Sequence, residues 1–205
     1  MNYDNIKESL NTGDIILFAS TDSILSQIID LFTESKYSHV AMVIKNPKFL
    51  GHDLPDDIYI IESTGLEHVK DVEDNEYKFG IQLRLFKEVY ESHNGRLYWR
   101  KLVCTKNDEF YKNLTYAHSI VHNRIYDVNP VDWIKSCFDI EIGNVQKKKT
   151  FFCSALVAFL CVSLNILNKN TPWTIVRPKD LGTEKGHRSN ITFVNCALEN
   201  EVQIK

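Results

Sequence analysis

Phe151-Phe152-Cys153-Ser154-Ala155-Leu156-Val157-Ala158-Phe159-Leu160-Cys161-Val162-Ser163-Leu164 is the stretch on which the fold turns. It is apolar on nearly every side for about three turns, so a helix built from it has no solvent face and reads as central and buried. It falls short of the ~20 apolar residues that span a bilayer, and other elements must therefore cover it. Cys153 stands at or just before the first turn. There, backbone N–H groups without intrahelical partners and the positive end of the helix dipole stabilise a thiolate.

The covering elements lie mostly upstream. Residues 14–18 read as a strand entered through a Thr12-Gly13 turn, and 23–32 switch to helical period, with Ile24, Leu25, Ile28, Ile29 and Phe32 on one face. Residues 38–44 and 58–63 are short, β-branched runs expected to pair antiparallel. Residues 81–85 alternate cleanly, and 96–103 also read as extended. Residues 107–124 carry Phe110, Leu114, Ala117, Ile120 and Val121 at helical spacing, and Asn129-Pro130 opens a short helix through Phe138. The acidic segment 64–80 reads as a solvated loop or hairpin and 143–150 as a loop. The tail after Gly182 is polar, with one strand expected at 191–194.

Composition narrows the function classes. The 205 residues are 43% hydrophobic and 25% charged, too apolar for a disordered chain and sized for one domain, taken as residues 1–205 with a core at about 10–181. Twenty-four basic against 27 acidic side chains give no field for phosphate backbones, so nucleic acid is not an expected partner. No secretory signal and no transmembrane segment are read, and a soluble, intracellular protein is expected, with peripheral membrane contact left open. Asn-, Ile- and Lys-rich usage fits an AT-rich genome such as that of a large DNA virus, in which case a virion location also fits. Cys104, Cys137, Cys153, Cys161 and Cys196 contain no CxxC pair, which argues against a disulfide framework or a zinc ribbon.

A cysteine nucleophile needs a base within reach and a third group to orient that base. His52, His68, His93 and His187 lie in polar surroundings and read as solvated. His118 and His122 are spaced i,i+4 and could share a metal, but no acidic residue completes an HExxH motif, and a solvated helix face is expected. His39 opens an apolar strand, where an imidazole is costly unless hydrogen-bonded. Glu62 is the only carboxylate inside a strand core and is a candidate acceptor for it. The residues alone leave two alternatives open: a Cys153-His39-Glu62 triad, or a satisfied core histidine beside a strand-end glutamate.

The local words occur in one order: Gly13-Asp14-Ile15-Ile16-Leu17-Phe18, Tyr37-Ser38-His39-Val40-Ala41, Ile61-Glu62-Ser63-Thr64, Ile125-Tyr126-Asp127 and Phe152-Cys153-Ser154-Ala155-Leu156-Val157. Together with Val176-Arg177-Pro178-Lys179-Asp180-Leu181 they resemble the circularly permuted branch of the NlpC/P60 papain-like superfamily, in the group of YiiX-like and poxvirus G6-like proteins. The histidine word preceding the cysteine word is the mark of the permutation. The resemblance implies an α+β fold with an antiparallel sheet packed on the central helix. It also implies a Cys-His-Glu triad: Cys153 as nucleophile, His39 as base and then acid, Glu62 as its orienting group. It makes Tyr126 a candidate for the oxyanion or substrate carbonyl. Phe152 and Ala155 stand where the family commonly has an acidic residue and a glycine, and the Trp-Gly-Gly element is missing; both features separate the chain from cell-wall peptide specificity.

The implied activity is a thiol hydrolase of cysteine-peptidase type, cleaving an amide or ester without metal or organic cofactor. The alternatives are a lipid acyl hydrolase or acyltransferase of lecithin:retinol acyltransferase-like type, and a non-catalytic viral or host interaction protein. Expected partners are accordingly a small-molecule, peptide or lipid-acyl substrate. Phe151, Phe152 and Trp133 suit an acyl chain or core packing equally.

Overall fold

The computed structural model describes residues 2–19, 35–51, 53–64, 70–77, 80–122, 125–126, 150–151, 153–183 and 191–205. The helix expected at 23–32, the one opening at Asn129, the loop before Thr150, and Cys137, Trp133, His52, His68 and His187 lie outside them. Strands β1 (Ile15–Ala19), β2 (His39–Lys45), β3 (Ile58–Thr64), β4 (Gly80–Leu85) and β5 (Arg96–Arg100) form at the places the apolar runs indicated. Two-residue strands follow: β6 (Leu102–Val103), β7 (Ile125–Tyr126), β8 (Thr150–Phe151), β9 (Ala197–Leu198) and β10 (Val202–Gln203). One sheet runs β10-β5-β1-β2-β3-β4-β7-β8, with β6 and β9 paired separately. Its pairings are antiparallel except β7 with β8. The fold is α+β, with a mostly antiparallel sheet.

Both faces of this sheet are covered, and that explains why β1 to β3 read as nearly continuous apolar runs rather than alternating ones. One face presents Ile15, Leu17, Val40, Met42, Ile61 and Leu83 to α3 (Asp108–Val121) and α4 (Cys153–Ser163). The other presents Ile16, Phe18, Ala41, Val43, Ile58 and Ile60 to α1 (Tyr3–Lys7) and α2 (Phe86–Ser92). Helix α4 is buried along nearly its whole length, as its sequence demanded. Asn107 caps α3 by accepting from Phe110 N at 3.1 Å.

The polar tail is more ordered than its composition suggests. No strand forms at 191–194; Phe193 makes only an isolated bridge to Leu167. Instead β10 pairs with β5, so Ile204 is fully buried, and the Lys205 ammonium donates to the carbonyls of Tyr90 (2.6 Å), Glu91 (3.2 Å) and His93 (2.7 Å). That cation sits at the C-terminal end of α2, where the orphan carbonyls and the dipole favour positive charge. Pairing against the free edge of β5 asks only for backbone groups. A polar sequence can supply those.

The expected turn before β1 is present, with Gly13 at φ +92° and its N–H on Val43 O. A side chain there would meet Leu102 Cδ2 at 2.7 Å. Asp14 is fully buried next to it, and its carboxylate accepts from Asn11 N (3.0 Å), Leu102 N (3.0 Å) and Trp99 Nε1 (2.8 Å). It thus ties three segments together at the head of β1. Asp14→Ala leaves buried donors without an acceptor and is expected to lower unfolding free energy by about 2–4 kcal/mol in urea titration; a loss under about 0.5 kcal/mol would contradict this role.

Candidate functional site

His39 is the first residue of β2. Met42 stands opposite Ile61, so Glu62 falls beside Ala41, and alternation puts Ala41 and His39 on one face. His39 and Glu62 are therefore diagonal cross-strand neighbours, a spacing that long polar side chains can bridge. The contact is made: His39 Nε2 lies 2.6 Å from Glu62 Oε2. On the other side Ile60 stands opposite Arg84, which makes Arg84 the second diagonal neighbour of Glu62. Arg84 Nη1 donates to Glu62 Oε1 at 2.7 Å. A carboxylate 2% exposed thus has a cation on each oxygen, the condition under which a buried charge is tolerated.

The thiol arrives from α4, which packs on β2 and β3 and begins at Cys153. With His39 Nε2 occupied by Glu62, the ring's remaining nitrogen, Nδ1, is the one available for the hydrogen bond between Cys153 and His39. The three groups form a line, thiol to imidazole to carboxylate. Phe18 packs edge-on against the His39 ring at 4.9 Å between centroids, and that fixes the ring plane.

The electrostatics follow from this line. Burial alone would push the Cys153 thiol up; the His39 charge and hydrogen bond, with the backbone N–H groups of Val40 and Ser154 donating to sulfur, outweigh it and hold the thiol below its ordinary value. Burial also disfavours a charged His39, but the charge and hydrogen bond of Cys153, then those of Glu62, push its pKa up to about 10. Glu62 is held down at about 2: burial opposes ionisation, while His39 and then Arg84 more than compensate. The shifts favour a thiolate–imidazolium pair over a neutral one, and thiol and ring titrate together. In Cys161, by contrast, burial together with Cys196 and Cys104 pushes the thiol up to about 12, and in Cys104 burial and Cys196 push it to about 11.

Cys153, His39 and Glu62 are thus brought together. Tyr126 lies in β7 opposite Phe151 of β8, two residues ahead of Cys153, and its side chain is outside the described residues. Arg84 was missed by sequence reasoning. Its signal was the alternation of residues 81–85, which puts Gln82 and Arg84 on one face, but only the β3–β4 register connects that face to Glu62.

Three expectations need correction. His93 is not solvated: its Nε2 is buried without a hydrogen-bond partner, its ring stands edge-on to Phe18 at 5.2 Å, and burial, then Lys205 and His39, lower its pKa. His118 is not on a solvated face, because it is four residues after Leu114 and eight after Phe110, on the apolar stripe of α3. Nor is the acidic segment merely solvated. Asp71 is fully buried, and its Oδ1 accepts from Leu83 N and Glu73 N at 3.1 Å each. The side chain of Glu73 is buried too, its Oε2 lying 3.1 Å from His118 Nε2 and 3.2 Å from His122 Nδ1.

No protein-family model matches the chain, and no curated protein matches it. Among solved structures it is similar to the crystal structure of metalloprotein yiiX from Escherichia coli O157:H7, DUF1105. The TM-score is 0.52 at 15% sequence identity, over 94% of this chain and 97% of that one. The likeness is one of fold, and it extends over nearly the full length of both chains. Among the described residues, no helix is long and apolar enough to cross a membrane.

The shifts fix two pH behaviours. Glu62 contributes stability that is complete above its ordinary 4.5 and is lost as pH falls through about 2; His39 contributes stability complete below its ordinary 6.5 and lost as pH rises through about 10. Iodoacetamide at neutral pH should therefore label Cys153 ahead of Cys104 and Cys161, read by mass spectrometry of the alkylated peptides. His39→Ala should move the Cys153 midpoint upward, because the His39 charge and hydrogen bond are the largest influences holding it down. Labelling of Cys153 only in step with Cys104 would contradict the thiolate.

Proposed function

We propose that the chain is a thiol hydrolase that cleaves an amide or ester through an acyl-enzyme on Cys153. The observation that carries this reading is the line of contacts in which one imidazole joins a depressed-pKa thiol at a helix start to a buried, doubly paired carboxylate. A thiol held below its ordinary value beside an imidazolium supplies the thiolate for the first attack.

In this mechanism the Cys153 sulfur adds to the substrate carbonyl carbon, and the carbonyl oxygen takes the negative charge. The backbone N–H of Cys153, at the start of α4, is the natural first donor to that oxygen, and Tyr126 is a candidate second. Collapse of the adduct breaks the bond to the leaving amine or alkoxide, which takes the proton from His39. The neutral ring then accepts a proton from water, hydroxide character attacks the thioester, and the acid leaves as thiolate and imidazolium are restored. Glu62 keeps Nε2 protonated and turned away from the sulfur, and Arg84 keeps Glu62 ionised and in place. This assigns Arg84 a positioning role.

The acyl group is that of a peptide or of a lipid, and a water-for-acceptor exchange at the second step would make the same site an acyltransferase. The fold likeness to yiiX is consistent with this reading, and the description of that protein as a metalloprotein bears on this chain only through residues able to hold a metal. His39 lies between the thiol and the carboxylate, so the three donors are strung out and do not converge on one point.

An activated acyl ester should leave a thioester adduct on Cys153, detectable by intact mass, and Cys153→Ala should cut turnover about 10³-fold or more. His39→Ala should match it, and Glu62→Gln should lower turnover while leaving the fold intact by circular dichroism. Turnover untouched by Cys153→Ala, or adducts spread over Cys104 and Cys196, would overturn the proposal.

A further inference from the structure

A second cluster of reactive side chains lies in a different part of the fold from the thiol line. His118 lies in the last turn of α3 and His122 is the residue that caps its C-terminus, one turn on, and Glu73 reaches both from the segment between β3 and β4. The three donors converge: Glu73 Oε2 is 3.1 Å from His118 Nε2 and 3.2 Å from His122 Nδ1, and all three ligand atoms lie within 4.8 Å of one another. In tetrahedral zinc sites, with ligands at ~2.0–2.1 Å, the edge between two ligand atoms is about 3.3–3.4 Å. Both measured edges are therefore within a few tenths of an ångström of that geometry. We infer that Glu73, His118 and His122 form a binding site for a divalent transition ion of the zinc class.

Four features carry the inference. The i,i+4 spacing puts two imidazoles over one helix face, as helical zinc-ligand pairs require. The carboxylate comes from another segment, which gives a three-point site rather than a chance helix pair. The side chains of Glu73 and His118 are 3% and 5% exposed and that of His122 is 27% exposed, so the ion is enclosed on two sides and reaches solvent on the third. Solvent on the His122 side supplies the fourth ligand, the arrangement of three protein ligands and an open position. Finally, two imidazoles and one carboxylate match the preference of zinc, not of magnesium or calcium, which take all-oxygen sets.

The ion would act on the architecture as well. The segment carrying Glu73 lies along β4, with Val72 N on Leu83 O at 3.0 Å and Leu83 N on Asp71 Oδ1 at 3.1 Å. Leu83 precedes Arg84, the residue that holds Glu62. Metal binding therefore clamps α3 to the strand that backs the thiol line. The site stands independently of the proposed hydrolase.

The test uses the full chain after treatment with a chelator. Addition of Co2+ should produce the visible d–d bands of a four- or five-coordinate ion, saturating at one ion per chain and abolished by Zn2+. Zn2+ should raise the melting temperature, and Mg2+ should not. Glu73→Gln and His122→Ala should each weaken Co2+ binding by at least about 10–100-fold, the loss seen when metal sites lose even an outer-shell partner. Cys153→Ala should leave it unchanged. A wild-type chain that gives no d–d bands and no Zn2+-dependent melting shift would overturn the site and leave a hydrogen-bonded His-Glu-His cluster. Binding that survives the Glu73 and His122 changes but disappears with Cys153→Ala would overturn it as well, by moving the ion to the thiol.

Discussion

A single buried carboxylate organises the thiol site. Glu62 is nearly inaccessible to water, and an ionised carboxylate in that position is tolerable only with partners on its oxygens. It has two, Arg84 on Oε1 and His39 on Oε2, each a diagonal neighbour across a strand pair. With the thiolate included, the four groups carry two positive and two negative charges. Removal of any one leaves an uncompensated charge in the interior, and such losses commonly cost about 3–5 kcal/mol. This neutrality offsets much of the cost of holding the groups around a buried carboxylate.

The sheet and the buried helix supply what the charges cannot. Strands β1 to β3 are covered on both faces, so their register is strongly specified; the β2–β3 register sets the diagonal on which His39 meets Glu62, and the β3–β4 register the one on which Glu62 meets Arg84. Helix α4 can afford no slippage either, because it is apolar along its length and packed on β2 and β3. Its first residue is delivered to the start of β2, where His39 lies. The thiol then gains both the helix N-terminus and two backbone N–H donors, from Val40 and Ser154.

Much of this was legible in residue pattern. Continuous apolar runs located β1 to β3 and α4, and the placement of Cys153, His39 and Glu62 within them singled those residues out. Arg84 was not legible, because its importance depends on a register set by residues far from it in the chain. Glu73 was hidden for a related reason: an acidic segment looks solvated until its carboxylates are seen meeting a backbone N–H of β4 and the two histidines at the C-terminal end of α3. His118 was within reach, since its spacing from Phe110 and Leu114 already placed it on the apolar stripe. The β10 pairing was beyond reach, because two backbone partners on an exposed edge leave almost no side-chain signature.

The central claim is that His39 is an imidazolium because Cys153 is a thiolate. Nitrogen NMR of the His39 ring through a pH titration measures it most directly, in the native chain and after methylation of Cys153. The account predicts a doubly protonated ring at neutral pH that loses its proton only near pH 10, and whose pKa falls on methylation as the sulfur loses its charge. A ring that titrates near the ordinary 6.5 and ignores the state of Cys153 would contradict it.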